Sequence, residues 1–471
     1  MDALKNLYSN SPRFFQNLYV TAYGIRNLSR FKKWDKLIGD IEFTERLERQ
    51  GQIDFVEAKL KDMIAHAITH VPFYQKYSSL RADLDHLSAY EVLKELPITN
   101  KAVINEDPTA FLADNQEPGV ISKTSGTTGI PFTIHMDKES FLLGDALWWR
   151  RTKWAGHQKG DWIARLVGDP VIPLQDRDPV NPWRVSWFDR RIYFSTFHLT
   201  EKTAVSIGEF LNRRKPAYIM GYPSALEILC HYLKQTGFQM DWDLKNVFFS
   251  SEPMHAHQEP IIREVFPAGI RGLYGSGERM VSAAQCAHGN YHLSLVDGYV
   301  EGQFGILDGV KPAAVTTLTN KLMPLIRYEV GDEIETQPDL ECPCGRTLPV
   351  ISPIITKHED YIITPSGRKI APSAVVWAFI HQDIKDINKS QVVQEDERTV
   401  KVYLNTDQES YLKYRDVLKN SMTDVFFGEM DVEVVKTERI DVMKSGKSRF
   451  IVNKMRHKFH DVSTGSDPGQ D

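Results

Sequence analysis

The sequence is poor in cysteine and has no long apolar run. Four cysteines in 471 residues do not make the disulfide framework of a small secreted domain. No run of about eighteen apolar residues occurs, so no transmembrane helix is expected. The first residues, MDALKNLYSNSPRFF, lack an apolar signal core and a small-residue cleavage site. These absences predict a cytoplasmic protein.

The sequence also lacks a strong excess of charge of one sign. The formal net charge is −5 and no basic tail is present, which argues against a nucleic-acid partner. The chain is 42% hydrophobic and 25% charged, which is ordinary for globular proteins. Its length predicts two or three domains with ample core.

Hydrophobic periodicity divides the chain into regions. Residues 1–90 carry apolar side chains at helical spacing and are rich in aromatics. Between about 120 and 340, short apolar runs such as DWIARLVG and LKNVFFSS alternate with helical patterns, which predicts α/β layers. Residues 340–360 are rich in Cys, Pro and Gly and mark a junction. Residues 370–460 repeat an α/β pattern on a smaller scale, with strands at TVKVYLN and MDVEVVK.

The stretch SKTSGTTGIP at 122–131 concentrates hydroxyls and glycines between two apolar segments that look like strands. A flexible linker is one interpretation. The other is an anion-binding loop, because glycines let backbone N–H groups approach a phosphate and hydroxyls add donors. The loop is not a Walker-type P-loop, since Ile130 follows Gly129 where that motif requires Lys.

Three further motifs each allow a simple structural explanation. Residues 274–278, YGSGE, place a carboxylate beside glycines and could hold a hard cation such as Mg²⁺. Residues 327–332, RYEVGD, place Asp332 where a carboxylate could bind sugar hydroxyls. Residues 444–449, KSGKSR, are basic. In isolation, the first two are typical of turns and the third of a surface loop.

Their order along the chain resembles the ordered motif set of the acyl-adenylating superfamily. That superfamily includes acyl-CoA synthetases, luciferases and peptide-synthetase adenylation domains. Within it, the chain is similar to phenylacetate–CoA ligases and related capsule-biosynthesis proteins. The segments that carry this resemblance are HVPFYQKY, IMGYPSALEIL, YHLSLVDGYVE, MPLIRYEVGD and CPCGRTLP, so the similarity spans nearly the whole chain.

The resemblance implies an α/β fold in two parts. Residues 1–358 would form a large N-terminal domain of layered sheets and helices, including the helical segment 1–90. Residues 359–462 would form a small, mobile α+β C-terminal domain, and 463–471 a disordered tail.

The resemblance also implies a reaction: ATP-dependent activation of a carboxylic acid as acyl-adenylate, with pyrophosphate release. The negative charges of the reactants require cations and hydrogen-bond donors around the α-phosphorus. Thr128 and Glu278 match the residues that help place Mg²⁺, and Lys447 matches the lysine that bridges substrate carboxylate and α-phosphate. The implied nucleotide-binding residues are Ser125, Gly126, Thr127, Thr128 and Gly129 for the phosphates, Asp332 for ribose, and Ser251, Glu252, Pro253, Tyr274 and Gly275 for adenine.

One segment departs from the family pattern. Where the family has Gly-Arg-x-Asp at the domain junction, this chain has Lys357 in place of the arginine. A lysine can donate to a ribose hydroxyl but lacks the planar fork of arginine. Glu359, or Asp360 after a one-residue shift, would be the hinge.

The cysteines suggest a structural metal site. Three thiolates and one imidazole would make a closed tetrahedral zinc site, and the candidates are Cys286, Cys342 and Cys344. Resemblance to a Gly-x-His pattern of the branch favours His292 as the fourth ligand, with His288 as the alternative. Ordinary inert cysteines remain the other interpretation.

The acyl acceptor and the acid are open at this point. CoA is the first candidate acceptor, and an amine, such as an amino sugar, is the second. A non-catalytic nucleotide-binding protein is a third interpretation, disfavoured by the retained motif residues. Tyr222, Trp148 and Trp183 are candidates for an aromatic substrate pocket, although large aromatics more often belong to a core. The amphipathic segment FFQNLYVTAYGIRNLSRFKKW could lie at a membrane surface, but a packed helix is the favoured interpretation.

Overall fold

The computed structural model describes residues 8, 11–124, 132–168, 171–173, 176, 179–309, 312–353, 361–370, 372–380, 387–438, 440 and 450–455. Its α-helices in that part of the chain are α1 (Arg13–Thr44), α2 (Arg49–His70), α3 (Pro72–Gln75), α4 (Leu80–Asp83), α5 (Ala89–Lys94), α6 (Lys101–Glu106), α7 (Lys138–Lys153), α8 (Glu201–Arg214), α9 (Pro223–Gln235), α10 (Gln258–Val265), α11 (Pro372–Ile380) and α12 (Gln408–Val425). Single 3₁₀ turns form at Pro108–Phe111 and Thr196–His198.

The strands of the described residues are two to eight residues long. They are β1 (Val120–Thr124), β2 (Phe132–Met136), β3 (Ile163–Leu166), β4 (Trp183–Ser186), β5 (Arg191–Phe194), β6 (Tyr218–Gly221), β7 (Asn246–Ser250), β8 (Gly269–Gly275), β9 (Ser282–Gln285), β10 (Tyr291–Leu293), β11 (Gly298–Val300), β12 (Ala314–Thr317), β13 (Tyr328–Glu329), β14 (Thr336–Gln337), β15 (Val350–Ile351), β16 (Ile362–Ile363), β17 (Lys369–Ile370), β18 (Ile387–Gln394), β19 (Thr399–Thr406), β20 (Asp431–Lys436) and β21 (Ile451–Asn453).

A ten-stranded mixed sheet organises the larger part of the molecule, with strand order β14-β15-β10-β9-β8-β7-β6-β3-β5-β4. Neighbours from β8 through β5 run parallel, and the strands on either side of that group pair antiparallel. The apolar runs DWIARLVG, PAYIMGYP, LKNVFFSS and GIRGLYGS supply four of the parallel strands. The predicted α/β layering is therefore confirmed.

Buried apolar side chains along this sheet form separate cores. One contains apolar residues of α8, α9 and α10, such as Ile207, Leu229 and Ile262. The other joins α2 and α5 to the three-stranded antiparallel sheet β11-β12-β13. Helix α2 ends at His70, and Pro72 then begins α3 with its fixed φ, as the proline in THVPFYQKY predicts.

Strands β1 and β2 form an antiparallel hairpin whose register runs from Val120 opposite Met136 to Thr124 opposite Phe132. The predicted strand–loop–strand arrangement around SKTSGTTGIP is present in its two strands. The loop itself, residues 125–131, lies outside the described residues.

The C-terminal part is a smaller α/β unit around the four-stranded sheet β20-β19-β18-β21. Strand β19 alternates buried and half-buried positions, so its sequence TVKVYLNT places valines and leucine on one face. Helices α11 and α12 contribute Val375, Leu418 and Met422 to the core beneath. A large and a small α/β unit were both expected. The proposed boundary at 358–359 and the tail 463–471 fall outside the described residues.

The long first helix lies beside the edge of the ten-stranded sheet. The Asn17 side-chain oxygen accepts a hydrogen bond from the Val185 amide at 3.0 Å, and Gln16 accepts one from Arg184 at 2.6 Å. These contacts occupy polar groups of β4, the edge strand of the sheet. Without them, the edge strand could pair with a strand of another chain. In the portion of the chain that is described, no helix is both long and apolar enough to cross a bilayer.

Candidate active site and metal centre

The parallel strands bring three of the predicted motif segments to one edge of the large sheet. Strands β6, β7 and β8 are in parallel register, so their carboxyl ends coincide. Tyr222 follows β6, the loop 251–253 follows β7, and Tyr274 and Gly275 end β8. Crevices at the carboxyl ends of parallel strands are the usual ligand sites of open α/β sheets.

A hydrogen bond joins two motifs that are far apart in sequence. The Tyr274 hydroxyl donates to Asp332 Oδ2 at 2.9 Å. Burial raises the pKa of Tyr274 well above its usual range, and the neighbouring Asp332 raises it further. Tyr274 therefore stays protonated at physiological pH and orients the carboxylate that is proposed to bind ribose.

Glu278 lies in the turn after β8 and is almost fully buried. Its Oε1 atom accepts a hydrogen bond from the Tyr328 hydroxyl at 3.1 Å and lies 3.5 Å from Lys101 Nζ. Burial and the adjacent Glu278 both raise the pKa of Tyr328, so its hydroxyl keeps the proton it donates. The YGSGE and RYEVGD motifs thus converge on one polar cluster, in which Lys101 supplies a positive charge.

Lys101 lies in none of the sequence motifs described above. The backbone of Thr99 bonds to Arg327 and Glu329 as if it were a further strand beside β13, which brings Lys101 to Glu278. The Asn100 side chain then caps α6 by accepting from the amides of Ala102 and Val103. In the sequence, Asn100 is recognisable as a helix cap. The pairing of Lys101 with Glu278 is not, because it depends on contacts between residues distant in sequence.

Glu252 connects the proposed adenine loop to the start of α9. Its Oε2 accepts a hydrogen bond from the Ser224 amide at 3.1 Å, where the helix dipole favours negative charge. Burial outweighs these stabilising contacts and raises the pKa of Glu252. One turn further along α9, Glu227 accepts a hydrogen bond from the Tyr361 hydroxyl at 2.5 Å, so α9 also contacts the segment that leads into the C-terminal unit.

Three residues of the motif loops have backbone conformations that side chains disfavour. Ser251, Arg279 and Arg327 have φ values of 68°, 56° and 49°. Such positions cost energy and tend to occur at functional loops. At Arg327 the cost is offset by a bidentate pair with Glu301, whose nearer contact is 2.7 Å, so this arginine has a structural role.

Several predicted site residues lie outside the described residues. These are Ser125, Gly126, Thr127, Thr128, Gly129, Lys357, Glu359, Asp360 and Lys447. Their assignments stay predictions.

The three aromatic pocket candidates occupy different environments. Trp183 is 2% exposed and stacks on Phe210 with ring centroids 4.4 Å apart, which is a core position and gives no support to a pocket role. Trp148 packs against the core of the large sheet beneath α7. Tyr222 is half-buried and precedes α9 at the crevice edge, so it alone of the three borders the candidate site.

The four predicted metal ligands form a compact cluster at the other end of the large sheet. One ligand atom from each of Cys286, His292, Cys342 and Cys344 lies within 4.8 Å of the others. The Cys286 and Cys342 sulfurs are 3.7 Å apart, and Cys344 Sγ is 3.3 Å from His292 Nε2. Sulfurs bound tetrahedrally at about 2.3 Å to one zinc ion would be about 3.7–3.8 Å apart. The donor set therefore fits zinc.

Two turns present these ligands. Cys286 follows β9 in a turn closed by Gly289, and Cys342 and Cys344 lie in a turn closed by Gly345. Both glycines have positive φ, 85° and 76°, which residues with a Cβ rarely adopt.

The surroundings of the cluster also suit a metal. His292 Nδ1 faces the Leu348 carbonyl at 3.2 Å, so this nitrogen carries the proton and Nε2 keeps its lone pair for the cluster. Burial lowers the pKa of His292, which favours the neutral imidazole that metals bind. His288, the alternative ligand, is exposed and contributes only its backbone amide, which donates to Cys286 Sγ.

Known proteins resemble this chain in sequence and in fold. The profile described as the CapK C-terminal domain matches residues 362–454. Protein CapK of Staphylococcus aureus is 20% identical over 462 residues, which cover 96% of this chain and all of that protein. The resemblance to the AMP-forming acyl-adenylating superfamily, in the branch of phenylacetate–CoA ligases and CapK, is therefore confirmed.

Further relatives agree with this family. The phenylacetate-coenzyme A ligase of Thermus thermophilus is 22% identical over 369 residues, 70% of this chain and 76% of that protein. Among solved structures, 2-hydroxyisobutyryl-CoA ligase in complex with 2-HIB-AMP and CoA, in its thioesterification state, aligns with a TM-score of 0.55 at 19% identity. That alignment covers 89% of this chain and 94% of the ligase. The structural likeness shows that the two proteins share the acyl-adenylating fold.

Proposed function

We propose that the protein uses ATP to activate a carboxylic acid as an acyl-adenylate, releasing pyrophosphate, and then transfers the acyl group to CoA. The observation that carries this proposal is the hydrogen bond from Tyr274 to Asp332 at the carboxyl edge of the parallel strands. It places an aromatic ring and an oriented carboxylate side by side, a combination suited to the base and ribose of a nucleotide.

In the proposed first step, a carboxylate oxygen of the acid attacks the α-phosphorus, and the bond to the pyrophosphate oxygen breaks. Negative charge accumulates on the phosphoryl oxygens, so nearby cations lower the barrier. Lys101 is the cation that the described residues supply beside Glu278. Lys447 and Thr128 are proposed to add a second cation and a hydroxyl, as the family motifs imply.

Glu278 is the proposed Mg²⁺ residue among those described. A carboxylate offers the hard oxygen ligand that Mg²⁺ prefers, and the Tyr328 hydroxyl holds its orientation. Bound Mg²⁺ would neutralise phosphate charge. The contribution of the chain is to hold the carboxylate in place, with Lys101 reducing the cost of burying it.

CoA is the favoured acceptor because of the relatives. Two phenylacetate-coenzyme A ligases are among them, and the 2-hydroxyisobutyryl ligase was solved with CoA bound. An amine acceptor is the second candidate, motivated by full-length similarity to a protein named CapK. That name specifies no reaction, so the amine and association with membrane-bound glycan intermediates rank second.

The cluster of Cys286, His292, Cys342 and Cys344 is proposed to hold a structural Zn²⁺ ion. All four ligand positions of a tetrahedral site are filled by protein atoms, which leaves no position for substrate. The ion would therefore stabilise the fold and take no part in adenylation.

Pyrophosphate release from ATP, Mg²⁺ and a panel of carboxylic acids tests the proposed reaction. At least one acid should raise release clearly above the acid-free background, and Asp332→Asn should weaken the apparent affinity for ATP. Asp339→Asn is the matched control and should behave as wild type, because Asp339 is exposed and lies outside the proposed nucleotide site. Acid-independent release, or none, would contradict the proposal.

The product distinguishes the two acceptors. Incubation of the active acid with CoA should give a thioester detected by mass spectrometry. If only an added amine, such as an amino sugar, is acylated, the second candidate is correct.

A further inference from the structure

The N-terminal part of helix α1, residues 13–25, packs with its polar side toward the protein. Gln16 and Thr21 are 4% and 9% exposed, and both contact β4 through hydrogen bonds to Arg184 and Val185. A side chain at Gly24 would collide with Ser186 Oγ, so the helix lies close to the sheet edge there. This is the reverse of a usual surface helix, which turns its apolar side inward.

The opposite side of α1 is apolar and open to solvent. We call it the outer face; its described large apolar residues are Phe14, Phe15, Leu18, Tyr19 and Ile25. Phe14 is the most exposed at 73%, and Ile25 is still 46% exposed. Positions 14, 18 and 25 are separated by four and seven residues, so they line one stripe of the helix. A contiguous apolar stripe of this kind marks an interaction surface.

The turn between β4 and β5 adds aromatics beside this helix. Trp187 and Phe188 are 53% and 57% exposed. The Asp189 side chain, next in sequence, lies against Gly24 of α1, so the turn adjoins this helix. Arg214 lies 4.3 Å from the centroid of the Trp187 ring, which combines an aromatic with a cation at the same place.

Residues 13–34 of α1 carry positively charged side chains only. The helix segment 13–34 contains five basic residues, Arg13, Arg26, Arg30, Lys32 and Lys33, and no Asp or Glu. The whole chain carries −5. In the adjoining turn Arg190 is exposed, whereas the Asp189 side chain is only 2% exposed and pairs with Arg191. The basic residues and the exposed aromatics therefore occur in the same part of a chain whose net charge is negative.

We propose that the outer face of α1, together with Trp187 and Phe188, docks the protein on an anionic membrane surface. The helix would lie in the plane of the interface with its aromatic side chains among the lipid headgroups. The basic segment would add electrostatic attraction to anionic lipids. A second copy of the chain fits less well, because it would bring two basic segments of the same charge together.

Co-sedimentation of the full-length protein with vesicles tests this proposal. The protein should bind vesicles of phosphatidylcholine and phosphatidylglycerol, bind pure phosphatidylcholine vesicles weakly, and lose binding as salt is added. The triple variant Phe14→Ser/Phe15→Ser/Leu18→Ser should bind about tenfold more weakly or worse. These side chains are exposed, so the variant should keep its folding and its thermal unfolding temperature.

Two further variants make the result specific. Leu87→Ser alters a side chain that is also 50% exposed but lies elsewhere, and should bind as wild type. Lys32→Glu/Lys33→Glu should lose the preference for anionic lipid. Vesicle binding is measured without substrates, so its outcome is independent of the proposed reaction.

Two outcomes would overturn the proposal. One is equal binding of the wild type and the triple variant, or no binding by either. The other is a concentration-dependent dimer in sedimentation equilibrium that the triple variant abolishes, without any vesicle binding by the wild type. The second outcome would assign the outer face to contact between copies of the chain.

Discussion

Lys101 and Glu278 form an ion pair, with 3.5 Å between Nζ and Oε1, at the junction of two motif segments. Glu278 is buried, and its other described polar partner is the Tyr328 hydroxyl. A buried carboxylate without a cation is costly, so the Lys101 ammonium stabilises the Glu278 carboxylate at this position.

Lys101→Met should impair both stability and catalysis. Removing one partner of a buried pair leaves the other charge uncompensated, which costs about 3 kcal/mol. Adenylate formation should fall by about tenfold or more, because a cation near the phosphates is lost. Thermal unfolding and pyrophosphate release measure the two effects. Lys153→Met, at an exposed position of α7, is the control; equal behaviour of the two variants would mean that the ion pair has no role.

Tyr274→Phe should weaken ATP binding while leaving the maximal rate closer to wild type. The substitution keeps the ring and removes only the hydroxyl that orients Asp332. Hydrogen bonds to charged groups contribute about 1.5–3 kcal/mol, so the KM for ATP should rise by about tenfold or more. Initial rates over a range of ATP concentrations give the separate changes in kcat and KM. A fall in kcat with unchanged KM would mean that the tyrosine acts in the transition state instead.

Glu252→Gln should change how stability depends on pH. Burial raises the pKa of Glu252 in the folded protein above its usual value of 4.5. The stability contributed by the protonated group is present below about pH 4.5 and is lost as pH rises through the raised folded pKa. Glutamine stays neutral, so the variant should gain stability relative to wild type as pH increases across that window. Unfolding temperatures between mildly acidic and neutral pH test this, with exposed Glu264→Gln as the control; an advantage that shrinks with pH would contradict it.

Freshly purified protein should contain about one zinc per chain, measured by elemental analysis. Cys342→Ser should lower the metal content and the unfolding temperature while changing ATP affinity little. His288→Ala should retain the metal, because His292 is the imidazole that faces the cluster. Active protein without zinc would exclude a structural metal.

Lys447→Ala should reduce adenylate formation by about a hundredfold or more, on the scale of losing one preorganised electrostatic group. ATP binding should change little, because an ammonium between two anions stabilises the transition state more than the bound nucleotide. The variant should still convert a chemically supplied acyl-adenylate to thioester. Lys444→Ala, in the same basic run, is the control; normal adenylation by the Lys447 variant would remove this lysine from the mechanism.

Much of the fold was predictable from local pattern. Strand β19 alternates apolar and polar residues, and the parallel strands are short apolar runs between helical segments, so periodicity identifies both. The grouping of Cys286, His292, Cys342 and Cys344 was also predictable, from the cysteines together with the family resemblance that favoured His292. Tyr274 and Asp332 were identified through motif order.

Other features depend on contacts that local pattern does not encode. Lys101 reaches Glu278 only because Thr99 pairs with the strand at Tyr328. Trp183 looks the same in sequence whether it lines a pocket or, as here, fills a core against Phe210. The sequence of helix α1 is amphipathic, but it does not say which side of the helix faces the protein. Only the structure reveals that the polar side faces the sheet.

The metal cluster joins two chain segments that are 56 residues apart at Cys286 and Cys342. An ion bound there closes a loop that contains Tyr328 and Asp332, both part of the proposed nucleotide site. Cross-linking a loop of this length removes about 4 kcal/mol of conformational freedom from the unfolded chain. The ion would therefore stabilise the fold by restricting the unfolded chain. The segment that carries Tyr328 and Asp332 would refold as a loop whose two ends are already joined.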